Sequence, residues 1–185
     1  EPKGVMLTHF NITSNAEAFA MVVPHDPGEV MMGFLPFFHS FGFTATLWGV
    51  LPRYIAAVYH PNPLEPKAIA EVVQRFKARF LIGTPTFLQN FVRRCTAEEL
   101  SSLRLIVAGA EKLTPRIRDA FQAKFGKEPQ EGYGTTECSP VVAVNTPDYQ
   151  GHNILQRGSK RGTVGLPLPG MSVRTVHPET GEVLG

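Results

Sequence analysis

The sequence predicts an α/β fold, a layered sheet with flanking helices, followed by the start of a β-rich subdomain. Three observations lead there. Short apolar runs rich in β-branched and aromatic residues alternate with longer stretches of helical period, the order expected when helices cover a sheet. Two of the helical stretches carry start or stop signals: Pro66 opens one, and Thr114-Pro115 and Gly126 bracket the other. From about Pro147 the texture changes, with Gly, Pro, Ser and charged residues dominating.

Taken in order, Thr8 to about Met21 reads as a helix, with Thr8 or Asn11 as its N-cap. Val30 to Phe38 (VMMGFLPFF) is expected as a buried strand with an exit bend at Pro36. Phe41 to Leu51 is expected as an apolar helix buried on most sides, and Tyr54 to Tyr59 as the next strand, ended by His60-Pro61-Asn62-Pro63. Ile69, Val72, Val73 and Phe76 recur at helical spacing within Pro66 to Phe76. Phe80-Leu81-Ile82-Gly83 is a strand running into Thr84-Pro85-Thr86, with a helix over Phe87 to Arg93. Leu103 to Ala108 is a short buried strand, and Pro115 to Phe125 a helix capped by Thr114 and stopped by Gly126. A strand near Pro129-Glu131 then delivers Gly132 to Glu137, and Val141 to Val144 follows. Alternation over Val173 to Val176 indicates a half-exposed strand, and Glu179-Thr180-Gly181-Glu182 a hairpin turn. The division is placed so that 1–146 is the α/β part and 147–185 a linker and the start of the β-rich subdomain.

Composition narrows the function classes. A chain of 185 residues with 43% hydrophobic content can bury a core and is not of disordered type. Eighteen basic against 16 acidic residues leave a net charge of +2 without a dense basic stripe, which argues against a nucleic-acid surface. Arg93-Arg94 and Lys160-Arg161 read as solvated faces. Two cysteines, Cys95 and Cys138, make no disulfide framework and fit a reducing, cytoplasmic compartment. Cys138 reads as a small packing residue rather than a nucleophile. The longest apolar stretch, Phe41 to Leu51, is interrupted by Gly42, Thr44, Thr46 and Gly49 and is too short to span a bilayer. The start at Glu1-Pro2-Lys3-Gly4 and the stop in a turn at Gly185 lead us to expect a piece of a larger protein.

The most chemically loaded stretch is Glu131-Gly132-Tyr133-Gly134-Thr135-Thr136-Glu137. It brings together an aromatic face, two glycines, two hydroxyls and a carboxylate. A nucleotide with magnesium needs such groups: a ring for the base, tight backbone for close approach, donors for phosphate and a hard oxygen for the metal. A polar turn with a solvated glutamate is the plainer reading. Ligands of doubly wound sheets sit beyond the carboxyl ends of strands. His39-Ser40, Thr84-Pro85, Gly109-Ala110-Glu111 and Gly132 to Glu137 all follow predicted strands, so their loops could converge on one ligand.

Four motifs in order resemble those of the adenylate-forming superfamily, which holds acyl-CoA synthetases, luciferases and peptide-synthetase adenylation domains. Glu1-Pro2-Lys3-Gly4-Val5 resembles the end of the phosphate loop, and Leu35-Pro36-Phe37-Phe38-His39-Ser40-Phe41-Gly42 the second core motif. Gly132-Tyr133-Gly134-Thr135-Thr136-Glu137 resembles the most diagnostic motif, and Gly162 to Gly170 (GTVGLPLPG) the one after it. The resemblance covers nearly the whole chain and implies the central part of the large N-terminal domain, with a mixed sheet. Within the superfamily, Phe37 to Phe43, Tyr59 to Pro63, Val107 to Leu113 and Glu137 to Asn145 look like the ligase domain of bacterial acyl-acyl-carrier-protein synthetases. That ligase is often fused to a lysophospholipid acyltransferase, through which it could sit at the inner face of the bacterial inner membrane.

The resemblance implies two substrates, ATP and a carboxylic acid such as a fatty acid, with Mg²⁺ as cofactor and acyl-carrier protein or CoA as thiol acceptor. Tyr133 would stack on adenine, bordered by Gly109, Ala110 and Glu111, with Gly132, Gly134 and Thr135 shaping the same loop. Thr136 would donate to the α-phosphate and Glu137 would ligate Mg²⁺. Lys3 would lie by the β- and γ-phosphates, and His39 near the carboxylate being activated, as gate or hydrogen-bond donor. Phe37, Phe38, Phe41, Phe43 and Trp48 are expected in the core rather than on an acyl-binding wall. The glycine-rich body of the phosphate loop, the ribose-binding aspartate and the C-terminal lysine have no counterpart in these residues, so residues 1–185 alone are expected to be inactive. Two alternatives stay open: the same chemistry on an aryl or other non-lipid acid, and a non-catalytic nucleotide-binding module.

Overall fold

The computed structural model describes residues 4–151 and 154–184. Its centre is a mixed seven-stranded sheet in the order β2-β1-β3-β4-β5-β6-β9, flanked by helices. The strands are β1 (Val30–Gly33), β2 (Ala56–Tyr59), β3 (Phe80–Gly83), β4 (Leu105–Ala108), β5 (Gln130–Gly134), β6 (Val141–Val144) and β9 (Leu166–Pro167). The five strands β2, β1, β3, β4 and β5 run parallel, whereas β6 pairs antiparallel with β5 and β9 antiparallel with β6. Central parallel strands are covered on both faces, and β3 and β4 are accordingly buried at every position. Outside the main sheet, β7 (Tyr149–Gly151) pairs with β8 (Ile154–Gln156), and β10 (Thr175–Val176) with β11 (Val183–Leu184), the hairpin expected around Gly181.

The helices are α1 (His9–Val22), α2 (Ser40–Gly42), α3 (Pro66–Phe76), α4 (Pro85–Arg94) and α5 (Pro115–Phe125). Their starts follow from local chemistry. Thr8 and Asn11 form a reciprocal capping box, Asn11 N donating to Thr8 Oγ1 at 3.1 Å and Thr8 N to Asn11 Oδ1 at 2.9 Å. Thr84 and Thr114 cap α4 and α5, each followed by a first-turn proline whose missing N–H costs nothing there. Gly126 ends α5 in the left-handed region at φ 68°. Phe34 joins the core edge-on to Phe87 and Phe91, with ring centroids 5.7 and 5.8 Å apart.

Two expectations fail on either side of His39. The strand expected to reach Phe38 stops at Gly33, because Pro36 cannot donate to a ladder and a turn forms in which His39 N donates to Pro36 O at 3.2 Å. The single apolar helix over Phe41 to Leu51 is instead α2, a π-helical stretch (Phe43–Leu47) and a 3₁₀ stretch (Trp48–Arg53). Gly42 is wedged so close to Leu35 and Pro36 that a Cβ there would lie 2.5 Å from Pro36 O. Thr46 donates its hydroxyl back to Gly42 O at 2.7 Å, and Pro52 interrupts the later turn, so a regular α ladder cannot run through. Phe37 and Phe38 are not core residues: they are 44% and 93% exposed. Phe43 and Trp48 are half-buried against one another.

The amino ends of three parallel strands are locked by charge. Glu29, just before β1, accepts from Arg79 Nε at 3.2 Å and from Arg104 Nη2 at 2.7 Å, the residues immediately before β3 and β4. Asp26 N also donates to this carboxylate at 2.9 Å. The loops that line the cavity meet at the opposite, carboxyl edge. Among the described residues no helix is long and apolar enough to cross a membrane.

Candidate functional site

Three loops leaving β1, β4 and β5 converge at the carboxyl edge around a cavity of about 180 Å³. His39, Gly109, Ala110, Gly132, Tyr133, Gly134, Thr135 and Thr136 line it. The backbone requirements explain several of these residue types. A Cβ on Gly109 would lie 2.9 Å from Phe41 Cζ, so any side chain there would push the ring of Phe41 from its seat. Gly134 passes so tightly against the Pro140 carbonyl that any side chain would collide with it. At that point β5 shifts register against β6, and Thr135 N donates to Pro140 O at 2.9 Å. Ala110 is held at φ 66°, the left-handed region.

The polar groups are arranged as follows. Tyr133 presents its ring at 50% exposure, open to stacking from the solvent side. Phe41 N donates to His39 Nδ1 at 3.2 Å. With Nδ1 accepting, the neutral ring carries its proton on Nε2 and can donate from there. The hydroxyls of Ser40 and Thr136, side by side in the cavity lining, lie 3.0 Å apart. The other side is apolar, formed by Phe19, Phe41, Val107, Val141 and Val144.

Two expected site residues stand apart from this cavity. The Glu111 carboxylate turns to the start of α4, accepting from Thr86 Oγ1 at 2.6 Å and Thr86 N at 3.3 Å. Glu137 follows Thr136 in a single 3₁₀ turn and faces an adjoining depression with Asn11, Ser14 and Asn15 of α1. Its carboxylate is exposed and makes no hydrogen bond or ion pair among the described residues. A free hard-oxygen ligand of this kind fits Mg²⁺, which is usually held by one or two carboxylates together with substrate phosphates and water. No three His, Cys, Asp or Glu side chains cluster among the described residues, so phosphate oxygens and water would complete the shell. Lys3 lies outside the described residues.

Sequence reasoning passed over Asn15 and Asn145. Asn15 is 3% exposed and grips Val141 through both its amide groups, joining α1 to the turn after Thr136. Asn145 accepts from Lys160 N at 2.9 Å and donates to Glu131 O at 3.0 Å and Thr163 O at 2.6 Å. It thereby ties the Gly162 to Gly170 segment to β5. An amide inside otherwise apolar helical or strand runs (NAEAFA, VVAVN) is the signal that could have singled them out.

A cavity outside the carboxyl ends of parallel strands, where strand direction changes, is the usual ligand position of open α/β proteins. The whole chain, residues 1–185, matches the family described as AMP-binding enzyme, and the chain belongs to that family. It is thus a member of the adenylate-forming superfamily. It is 29% identical over 186 residues to a long-chain-fatty-acid–CoA ligase of Bacillus subtilis, covering 98% of this chain and 32% of that protein. It is 31% identical over 189 residues to a probable 4-coumarate–CoA ligase of Dictyostelium discoideum, covering 99% and 32%. Among solved structures, ATP-bound MatB from Rhodopseudomonas palustris superposes with a TM-score of 0.83 at 29% identity over 99% of this chain and 34% of that one. The chain spans about a third of the length of these relatives.

Proposed function

We propose that this chain is the nucleotide-binding part of an acid–thiol ligase that uses ATP to activate a carboxylic acid, in our reading a fatty acid, and passes the acyl group to a thiol. The observation that carries this reading is the meeting of His39, Tyr133 and Thr136 at one cavity, with the free Glu137 carboxylate beside it. In this reading residues 1–146 form the α/β part and 147–185 a linker and the start of the β-rich subdomain.

The residues divide the work by chemistry. Tyr133 stacks on the adenine, and the Gly109-Ala110 backbone borders it while Glu111 holds that loop against α4. Thr136 donates to an α-phosphate oxygen and His39 Nε2–H orients the acid, and the charge of Lys3 is assigned to the β- and γ-phosphates. The attacking carboxylate oxygen forms a bond to the α-phosphorus and pyrophosphate leaves, giving an acyl-adenylate. The thiol sulfur then replaces AMP on the acyl carbon. The acid is already ionised at neutral pH, so the first step needs alignment and charge neutralisation rather than a general base. Mg²⁺ held at Glu137 would supply part of that neutralisation. The apolar wall of Phe19, Phe41, Val107, Val141 and Val144 offers no carboxylate to a substrate ammonium, which favours a plain acid over an amino acid. CoA is the acceptor in the names of the ligase relatives, and the acyl-carrier protein is the acceptor suggested by the narrower motif resemblance.

The test is acid-dependent ATP–pyrophosphate exchange by the full-length protein with acetate, medium-chain, long-chain and aryl acids, followed by transfer to CoA or acyl-carrier protein. Exchange that rises with fatty acids supports the proposal. Exchange restricted to aryl acids keeps the mechanism and removes the lipid assignment. A folded protein that binds ATP and exchanges with none of these acids is a binding module and not a ligase.

A further inference from the structure

We propose that Ser40 is a positioning residue for the first step, and that its hydroxyl donates to Thr136 so that the Thr136 proton is aimed at the nucleotide. The inference rests on the phosphate-binding role proposed above for Thr136.

The observation is the 3.0 Å contact between Ser40 Oγ and Thr136 Oγ1, two side chains 96 residues apart in the chain, both lining the cavity. Proton counting then gives the bond its direction. Each hydroxyl has one proton and two acceptor lone pairs. A phosphate oxygen at an α-phosphate can only accept. If Thr136 spends its single proton on that oxygen, the proton shared with Ser40 must come from Ser40. Ser40 therefore has no proton left for the ligand and acts through Thr136. Hydrogen bonds in such a chain polarise one another, so accepting from Ser40 also makes Thr136 a better donor.

Both ends of this strut are held by backbone geometry. On the Ser40 side, Gly42 is wedged under Leu35 and Pro36, and Phe43 N donates to His39 O at 3.0 Å. On the Thr136 side, Cys138 N donates to Thr135 O at 2.9 Å and Ser139 N to Thr136 O at 3.1 Å. Asn15 fixes the same turn by donating to Cys138 O at 3.3 Å. A donor held in place before the reaction is worth more than one that must be ordered during it.

The test is a double-mutant cycle in the full-length protein, read by pyrophosphate exchange with ATP and whichever of those acids supports the fastest exchange. Ser40→Ala should lower kcat about two- to ten-fold, the range of one net hydrogen bond, with KM for ATP and the thermal midpoint little changed. Ser40→Thr should restore the rate. Thr136→Val should cost more, and Ser40→Ala should cost nothing further in that background. An unchanged Ser40→Ala enzyme, or losses that simply multiply, would overturn the proposal. A Ser40→Ala loss as large as that of Thr136→Val would also overturn it, since Ser40 would then be the phosphate donor. An inert Thr136→Val change would instead sink the role of Thr136 itself, and the proposal for Ser40 with it.

Discussion

Asn15 grips the backbone of Val141 at both its N–H and its C=O: Asn15 Oδ1 accepts from Val141 N at 3.1 Å, and Asn15 Nδ2 donates to Val141 O at 2.7 Å. The pair lies 126 residues apart in sequence and fastens α1 to the strand that follows the Tyr133–Glu137 run.

Replacing Asn15 by Leu removes both bonds and leaves a buried N–H and C=O of Val141 without these partners. Stranded polar groups of this kind cost about 1–3 kcal/mol each. Asn15→Leu is therefore expected to lower the urea midpoint substantially with little change in slope. A midpoint equal to that of the parent would show that the clasp contributes nothing.

The Glu29 lock gives stability a defined pH dependence. Burial pushes this carboxyl up, but the Asp26 N–H and the guanidinium groups of Arg104 and Arg79 outweigh it and hold it below its ordinary value of 4.5. The ionised form is thus the one the fold prefers. Its contribution is fully present above the unfolded value and is lost as pH falls through the lower, folded value. Glu29→Gln should cost about 1–3 kcal/mol at pH 7, and the gap to the parent should narrow as pH falls below the ordinary carboxylate range and through the lower, folded value. Unfolding curves for both proteins at pH 7, 5 and 3.5 would show this; a gap that stays constant would refute the assignment.

The two thiols should differ sharply in reactivity. Burial, reinforced by Glu99, pushes the Cys95 thiol up to about 11, and its Sγ donates to Pro66 O at 3.3 Å. Almost no thiolate is present there at pH 8, whereas Cys138 is only half-buried. A maleimide at pH 8 should label Cys138 in the native protein and reach Cys95 only after unfolding. Labelling of native Cys95 at a comparable rate would contradict this account.

The sequence made the regular elements legible where a local rule sufficed. Pro66–Phe76, Phe80–Gly83 and Pro115–Phe125 appear with the expected bounds because periodicity, proline starts and the Gly126 stop are all local signals. The stretch around His39 was illegible for the opposite reason. Gly42 is shaped by its contact with Leu35 and Pro36, and the π and 3₁₀ turns follow from that packing rather than from the apolar run itself. The cavity was legible in part as loops after strands: His39, Gly109, Tyr133 and Thr136 line it together, whereas Thr84-Pro85, the loop after β3 expected to join them, does not. Hydrophobicity alone would have buried Phe37 and Phe38, which stand at the surface on the turn before His39. The orientation of Glu111 depends on Thr86, 25 residues away, and no spacing rule reaches that far.

The distances along the chain between partners at the site set the order in which it can be assembled. Ser40 meets Thr136 across 96 residues, and Asn15 meets Val141 across 126. Contacts of such separation repay their loop-closure entropy late, after local helices and neighbouring parallel strands have formed. The cavity lined by Ser40, Thr136 and Val141 therefore cannot be completed in a half-folded chain, nor in one whose synthesis has stopped before β6. Under the proposed function, ligand affinity would be a gauge of completed folding, and a bound nucleotide would stabilise the finished sheet over every intermediate that precedes it.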